Sequence, residues 1–163
     1  MKRISNKTTN IILGISVILL VLLCFMSIAK PINFEKQVDQ RELAVKLRLL
    51  NIRKAENIYF HIYGYYTDSF DTLIAQKLLE DSVRYIPYSN GKQFNITTSS
   101  YVSKFGGTQS LMMCSARYED YLNGLDEDDI ANLTEEANQQ NSFPGLKFGD
   151  ITTPNGNAAN WEQ

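Results

Sequence analysis

The hydrophobic pattern changes period along this chain, and each change predicts an element. Residues 11–29 read IILGISVILLVLLCFMSIA, nineteen positions without a charge. At about 1.5 Å per residue, a helix of that length reaches about 28 Å, close to the roughly 30 Å hydrocarbon core of a bilayer. Pro31 follows and is expected to break or bend the helix. Apolar residues then return at Val45, Leu49, Ile52, Ala55, Tyr59 and Ile62, at spacings of 4, 3, 3, 4 and 3. That stripe predicts an amphipathic helix over residues 34–63, with Lys46, Arg48, Arg53, Lys54 and Glu56 largely on its other faces. Gly64 is placed to end it as a left-handed residue.

Beyond Gly64 the signals are shorter. Asp68 or Ser69 is positioned to cap a helix over 70–79, with Phe70, Leu73, Ile74 and Leu78 facing inward. Residues 83–88, VRYIPY, read as an edge-type strand because Pro87 cannot donate to a ladder. Ser89-Asn90-Gly91 suits a type I′ hairpin. Strands are predicted over 94–102 and 111–118, joined at Gly106-Gly107. Asp126 then caps a helix over 127–137 whose acidic first turn suits the helix dipole. From Phe143 onward a Gly-, Asn- and Pro-rich stretch reads as a polar tail carrying Trp161. The expected fold class is α+β: an N-terminal transmembrane helix, then a long amphipathic helix packed on a small antiparallel β-meander. Three segments follow: 1–10 as a cytoplasmic N-terminus, 11–29 as a membrane anchor, and 30–163 as one exported domain with an acidic C-terminal lobe.

Charge refines this picture. Lys2, Arg3 and Lys7 precede the uncharged run with no acid among them, which favours a cytoplasmic N-terminus and an exported remainder. Ser27-Ile28-Ala29 leaves a cleaved signal peptide as the alternative. Cys24 follows Leu22-Leu23 rather than the small residues of a lipobox. Residues 1–58 carry a charge of +6 and residues 59–117 of +1, whereas residues 118–163 carry −9. A dominant basic face is therefore missing, and nucleic acid is not an expected partner. The gradient instead suggests surfaces of opposite sign, fit for head-to-tail self-association or for docking another envelope protein. With 44% hydrophobic residues the chain is too apolar for disorder. Two cysteines exclude a disulfide-stapled miniprotein, and a single histidine excludes an HExxH metal centre.

Candidate chemistry is sparse. His61 is the one imidazole and would have to serve any nucleophilic triad, but no acid adjoins it in sequence. Cys114 lies in an apolar strand with no nearby base to make a thiolate. Asp126-Glu-Asp-Asp129 lacks the alternation and the glycine of an EF-hand loop, and reads as a helix start. Tyr59, Phe60, Tyr63, Tyr65 and Tyr66 form either a stacking platform for a ligand or, more simply, packing at the helix end. Asn95 and Asn132 head glycosylation sequons, relevant only to a eukaryotic chain. The expectation is a non-enzyme with no catalytic, cofactor-binding or metal-binding residues.

The helix-end run Tyr59-Phe-His-Ile-Tyr-Gly64-Tyr-Tyr66, followed by Phe70 and Leu73, resembles type IV pilin and type II secretion pseudopilin heads. The order of membrane helix, amphipathic helix and meander matches over about residues 11–120. Residues 144–149 and 155–162 are similar to a group of bitopic envelope proteins of Gram-negative bacteria. The prepilin peptidase site departs from the family: Gly14 is followed by Ile15, and position 19 is Leu rather than Glu. The resemblance implies a pilin-like head in the periplasm, anchored in the bacterial inner membrane by 11–29. The implied role is that of a subunit or scaffold of a secretion, filament or envelope complex. A membrane-anchored ligand-sensing or glycan-binding module is the alternative. Some pseudopilins hold calcium in a C-terminal loop, which would fall here on Asp150, Asn155 and Asn157.

Overall fold

The computed structural model describes residues 6–103 and 106–162, with side chains described for 9–24 and from 32 onward. The first helix, α1 (Asn6–Tyr63), runs 58 residues. It is followed by α2 (Phe70–Ala75), a 3-10 turn (Asp81–Arg84), β1 (Asn95–Val102) and β2 (Thr108–Arg117). Then come α3 (Tyr118–Tyr121), α4 (Glu127–Gln139) and β3 (Gly145–Gly149). The chain divides into two compact units, Met1–Gln37 and Val38–Gln163.

In the first unit, the expected break at Pro31 is not seen, and helical backbone continues through that position. A proline removes one hydrogen bond and crowds one carbonyl, a defect a long helix absorbs without ending. Every described side chain from Thr9 to Cys24 is exposed. Among the described residues no helix is long and apolar enough to cross a membrane. Side chains are described over residues 11–24 of the uncharged run, about 21 Å of helix. Residues 25–29 complete the run but lie outside the described side chains.

The second unit is α+β, with its core on one stripe of α1. Val45, Leu49, Ile52, Ala55 and Tyr59 are all buried, as the 3.6-residue period predicts. Ile62 is the exception at 61% exposed, because α1 ends one residue later and nothing covers that face. Gly64 closes the helix as expected, at φ +80°, donating to the Phe60 carbonyl at 2.8 Å.

The sheet is three-stranded and antiparallel, in the order β1-β2-β3. Met112, Cys114 and Ala116 alternate along β2 onto one face, with Phe148 opposite Cys114 and Leu146 opposite Ala116. These residues join the α1 stripe in a single hydrophobic cluster. Two sequence expectations fail here. Residues 83–88 form no strand: the 3-10 turn takes up Asp81–Arg84, and one bridge, Tyr85 to Gln93, remains of the hairpin. Pro87 and the left-handed Tyr88 (φ +63°) prevent a longer ladder. The third strand comes instead from the supposed tail, as β3, whose connection from β2 carries α3 and α4. Gly149 makes this possible. A Cβ there would lie 2.2 Å from the Met112 carbonyl oxygen, and φ is +74°.

Helix limits follow cap chemistry. Ser69 caps α2, and Asp126 caps α4 by accepting from the Asp128 and Asp129 amides. Helix α2 stops at Ala75, short of the expected 79, because Lys77 turns left-handed and Leu78 donates to the Leu73 carbonyl.

Candidate functional site

The residues singled out by sequence do not converge. His61 is exposed on α1, its ring edge-on to that of Phe60 at 6.4 Å between centroids. Cys114 is wholly buried in the sheet face. Burial, reinforced by the charge of Glu56, pushes its thiol up, away from thiolate formation. The Asp126–Asp129 acids start a helix, and Asp126 spends an oxygen on two backbone amides. Asp150 accepts from the Thr152 amide (2.7 Å) and hydroxyl (2.5 Å) and from the Thr153 amide, which hold its carboxyl down to about 2. Asn155 accepts from the Asn157 amide within the same loop. No group of three His, Cys, Asp or Glu side chains placed for a metal occurs among the described residues.

What the fold does assemble is a polar seam between the end of α1 and the C-terminal loop. Arg53 forms a forked pair with Glu162, both contacts at 2.8 Å, and donates to the Asn157 carbonyl at 3.2 Å. The fork raises the arginine and holds Glu162 down to about 2. Asn157 is buried, donating its amide to Asn57 (3.2 Å) and to the Tyr66 hydroxyl (3.0 Å). Two other arginines of α1 act alike. Arg41 donates to the carbonyls of Tyr121 and Asn123, and Arg48 to those of Ser82 and Tyr85. The basic stretch of α1 is thus largely spent as staples inside the head, with Lys46 paired to Glu42. The free basic surface expected from the charge gradient is reduced accordingly.

The aromatic cluster is mostly self-satisfied. Phe60 and Tyr66 stack at 4.6 Å, and Tyr59 contacts Tyr63 at 4.4 Å and Tyr65 at 5.8 Å. Tyr63 and Tyr65 keep 41% and 52% of their surface exposed. A cavity of about 470 Å³ lies elsewhere, lined by Tyr118, Leu133, Glu136, Phe143, Lys147 and Asn160 among others.

Glu56, expected with the other charges off the apolar stripe of α1, is instead 0% exposed on its inner side; one oxygen accepts from the Thr67 amide at 3.2 Å and the other, Oε1, has no partner among the described residues. Burial pushes its carboxyl up to about 7, against the Thr67 amide and with help from Asp68. Its position carried the signal: Glu56 stands four residues after Ile52 and seven after Leu49, squarely on the core stripe.

Comparison with protein-family models, with curated proteins and with solved structures gave no match.

Proposed function

We propose that this chain is a single-pass envelope protein without enzymatic activity, a subunit or scaffold of a membrane-associated complex. Residues 11–29 hold it in the bacterial inner membrane, with the N-terminus cytoplasmic and the α+β head periplasmic. One observation carries the reading: an uncharged nineteen-residue run at the start of α1 whose large side chains, from Ile11 to Leu23, are more than half exposed. A helix apolar on every side, with no protein cover, needs lipid or other apolar helices around it.

The head supports the scaffold role. Leu43, Leu47 and Leu50, at spacings of 4 and 3, form an exposed apolar row on α1 off its buried stripe. A row of that kind suits an interaction surface better than a solvated face. A photo-reactive residue at Leu47, activated in intact membranes, is expected to give discrete protein adducts, with another envelope protein or a second copy. Absence of any protein adduct from Leu43, Leu47 and Leu50 alike would contradict the scaffold role. The exposed rings of Tyr63 and Tyr65 favour the second reading, a ligand- or glycan-binding module. Saturable glycan binding abolished by Tyr65→Ala, with no protein adducts, would select it.

A further inference from the structure

A carboxyl buried at the centre of a core needs a cation, a full set of donors, or a proton. Among the described residues Glu56 has no cation and an incomplete set of donors. The groups that interact with it lie on three neighbouring segments. From α1 there is Tyr59; from the turn that follows α1 there are Tyr66, Asp68 and the Thr67 amide; from β2 there is Cys114. All are neutral or acidic. Arg53, one turn earlier on α1, is committed to Glu162. The remaining solution is the proton.

We propose that Glu56 is a proton-operated latch for the turn at residues 64–69, which stays closed on the head while Glu56 holds its proton and loosens when the proton leaves to solvent.

The turn is built to respond. Its contacts with the rest of the head include the Thr67 amide on Glu56 and the Tyr66 amide on Ser110 (3.1 Å). Ionised, Glu56 would be a buried charge near Asp68, bonded at one oxygen by the Thr67 amide and with Oε1 unsolvated. Relief comes from hydration, and the element bonded directly to the carboxyl is this turn, whose other bonded amides go to Phe60, to Ser110 and, within the turn, to Thr67. The Tyr66 hydroxyl also receives the Asn157 amide, so an open turn frees the C-terminal loop at one of its anchors. Resting on the periplasmic placement proposed above, where the head equilibrates with the surrounding medium, a latch closing near neutrality would report external acidity.

The test is amide hydrogen exchange on the full-length chain across about pH 5.5 to 8.5, corrected for the intrinsic pH dependence of exchange. Protection at Thr67 is expected to fall by tenfold or more (roughly one pH unit of linkage) as pH rises. In Glu56→Gln, which mimics the protonated form, it should stay level. Equal loss of protection in both proteins, or none in wild type, would overturn the latch. A carboxyl-carbon NMR titration of wild-type Glu56 decides the matter without any variant. A midpoint near neutrality supports the latch, and one in the ordinary glutamate range overturns it.

Discussion

Arg53 and Glu162 meet across 109 residues of chain in a two-pronged ion pair, each guanidinium nitrogen 2.8 Å from its own carboxylate oxygen. Glu162 Oε2 also accepts from the Ala159 amide at 3.0 Å, so the pair sets the path of the last loop as well as its attachment. Glu162→Gln breaks the fork while keeping the shape. The expected result is faster amide exchange over residues 157–162 with little change in global stability. Unchanged exchange there would show that Asn157 and the bonds of Ala158 and Asn160 to β3 hold the loop without the fork.

Acid should release the same loop. Glu162 is held down to about 2, below its ordinary value, so its contribution is present above about pH 4.5 and disappears as pH falls through the folded value. Protection of residues 157–162 measured from pH 5 down to pH 2 checks this. Glu56 carries the opposite sign. Raised to about 7, it stabilises the fold fully below about pH 4.5 and loses that contribution as pH rises through 7. The span corresponds to at most about 3.5 kcal/mol. Thermal midpoints between pH 5 and 8.5 are expected to fall in wild type more steeply than in Glu56→Gln.

The core stripe ends at Tyr59. Leu49→Ala and Ile52→Ala remove fully buried side chains and are expected to cost about 2–5 kcal/mol each. Ile62→Ala, on the same sequence period but exposed, should change stability by less than about 0.5 kcal/mol. Denaturant titrations of the three variants check the boundary.

Gly149 permits the third strand. Gly149→Ala would set a Cβ against the Met112 carbonyl at a left-handed φ, costing about 1–3 kcal/mol from backbone conformation alone. Gly91→Ala is the control, since its Cβ would meet nothing within 4 Å although its φ is also positive. The destabilisation at 149 should exceed that at 91.

The parts of this fold legible in the sequence are those written in side-chain period or cap chemistry. The α1 stripe, the caps at Ser69 and Asp126, the Gly64 stop, and most of β1 and β2 follow from local rules. β3 was hidden because it is five residues long, begins and ends in glycine, and pairs with a strand 28 or more positions earlier. No local pattern encodes that pairing. The strand expected at 83–88 failed because Val83 and Arg84 belong to a 3-10 turn held by Arg48, a tertiary contact, and because Pro87 and the left-handed Tyr88 break the ladder after it. Glu56 falls on the stripe by position, but a charge favours the outward face, so its burial is encoded only in tertiary packing, where no cation among the described residues answers it.

The central claim is that residues 11–29 anchor the chain with its head outside the cytoplasm. Alkaline carbonate extraction of membranes, followed by protease treatment of intact spheroplasts, measures both halves of that claim together. The account expects full-length chain in the carbonate-resistant pellet and a head digested from outside, leaving a short protected N-terminal fragment. Recovery of a soluble chain beginning at Lys30, or a head protected until the inner membrane is ruptured, would contradict it.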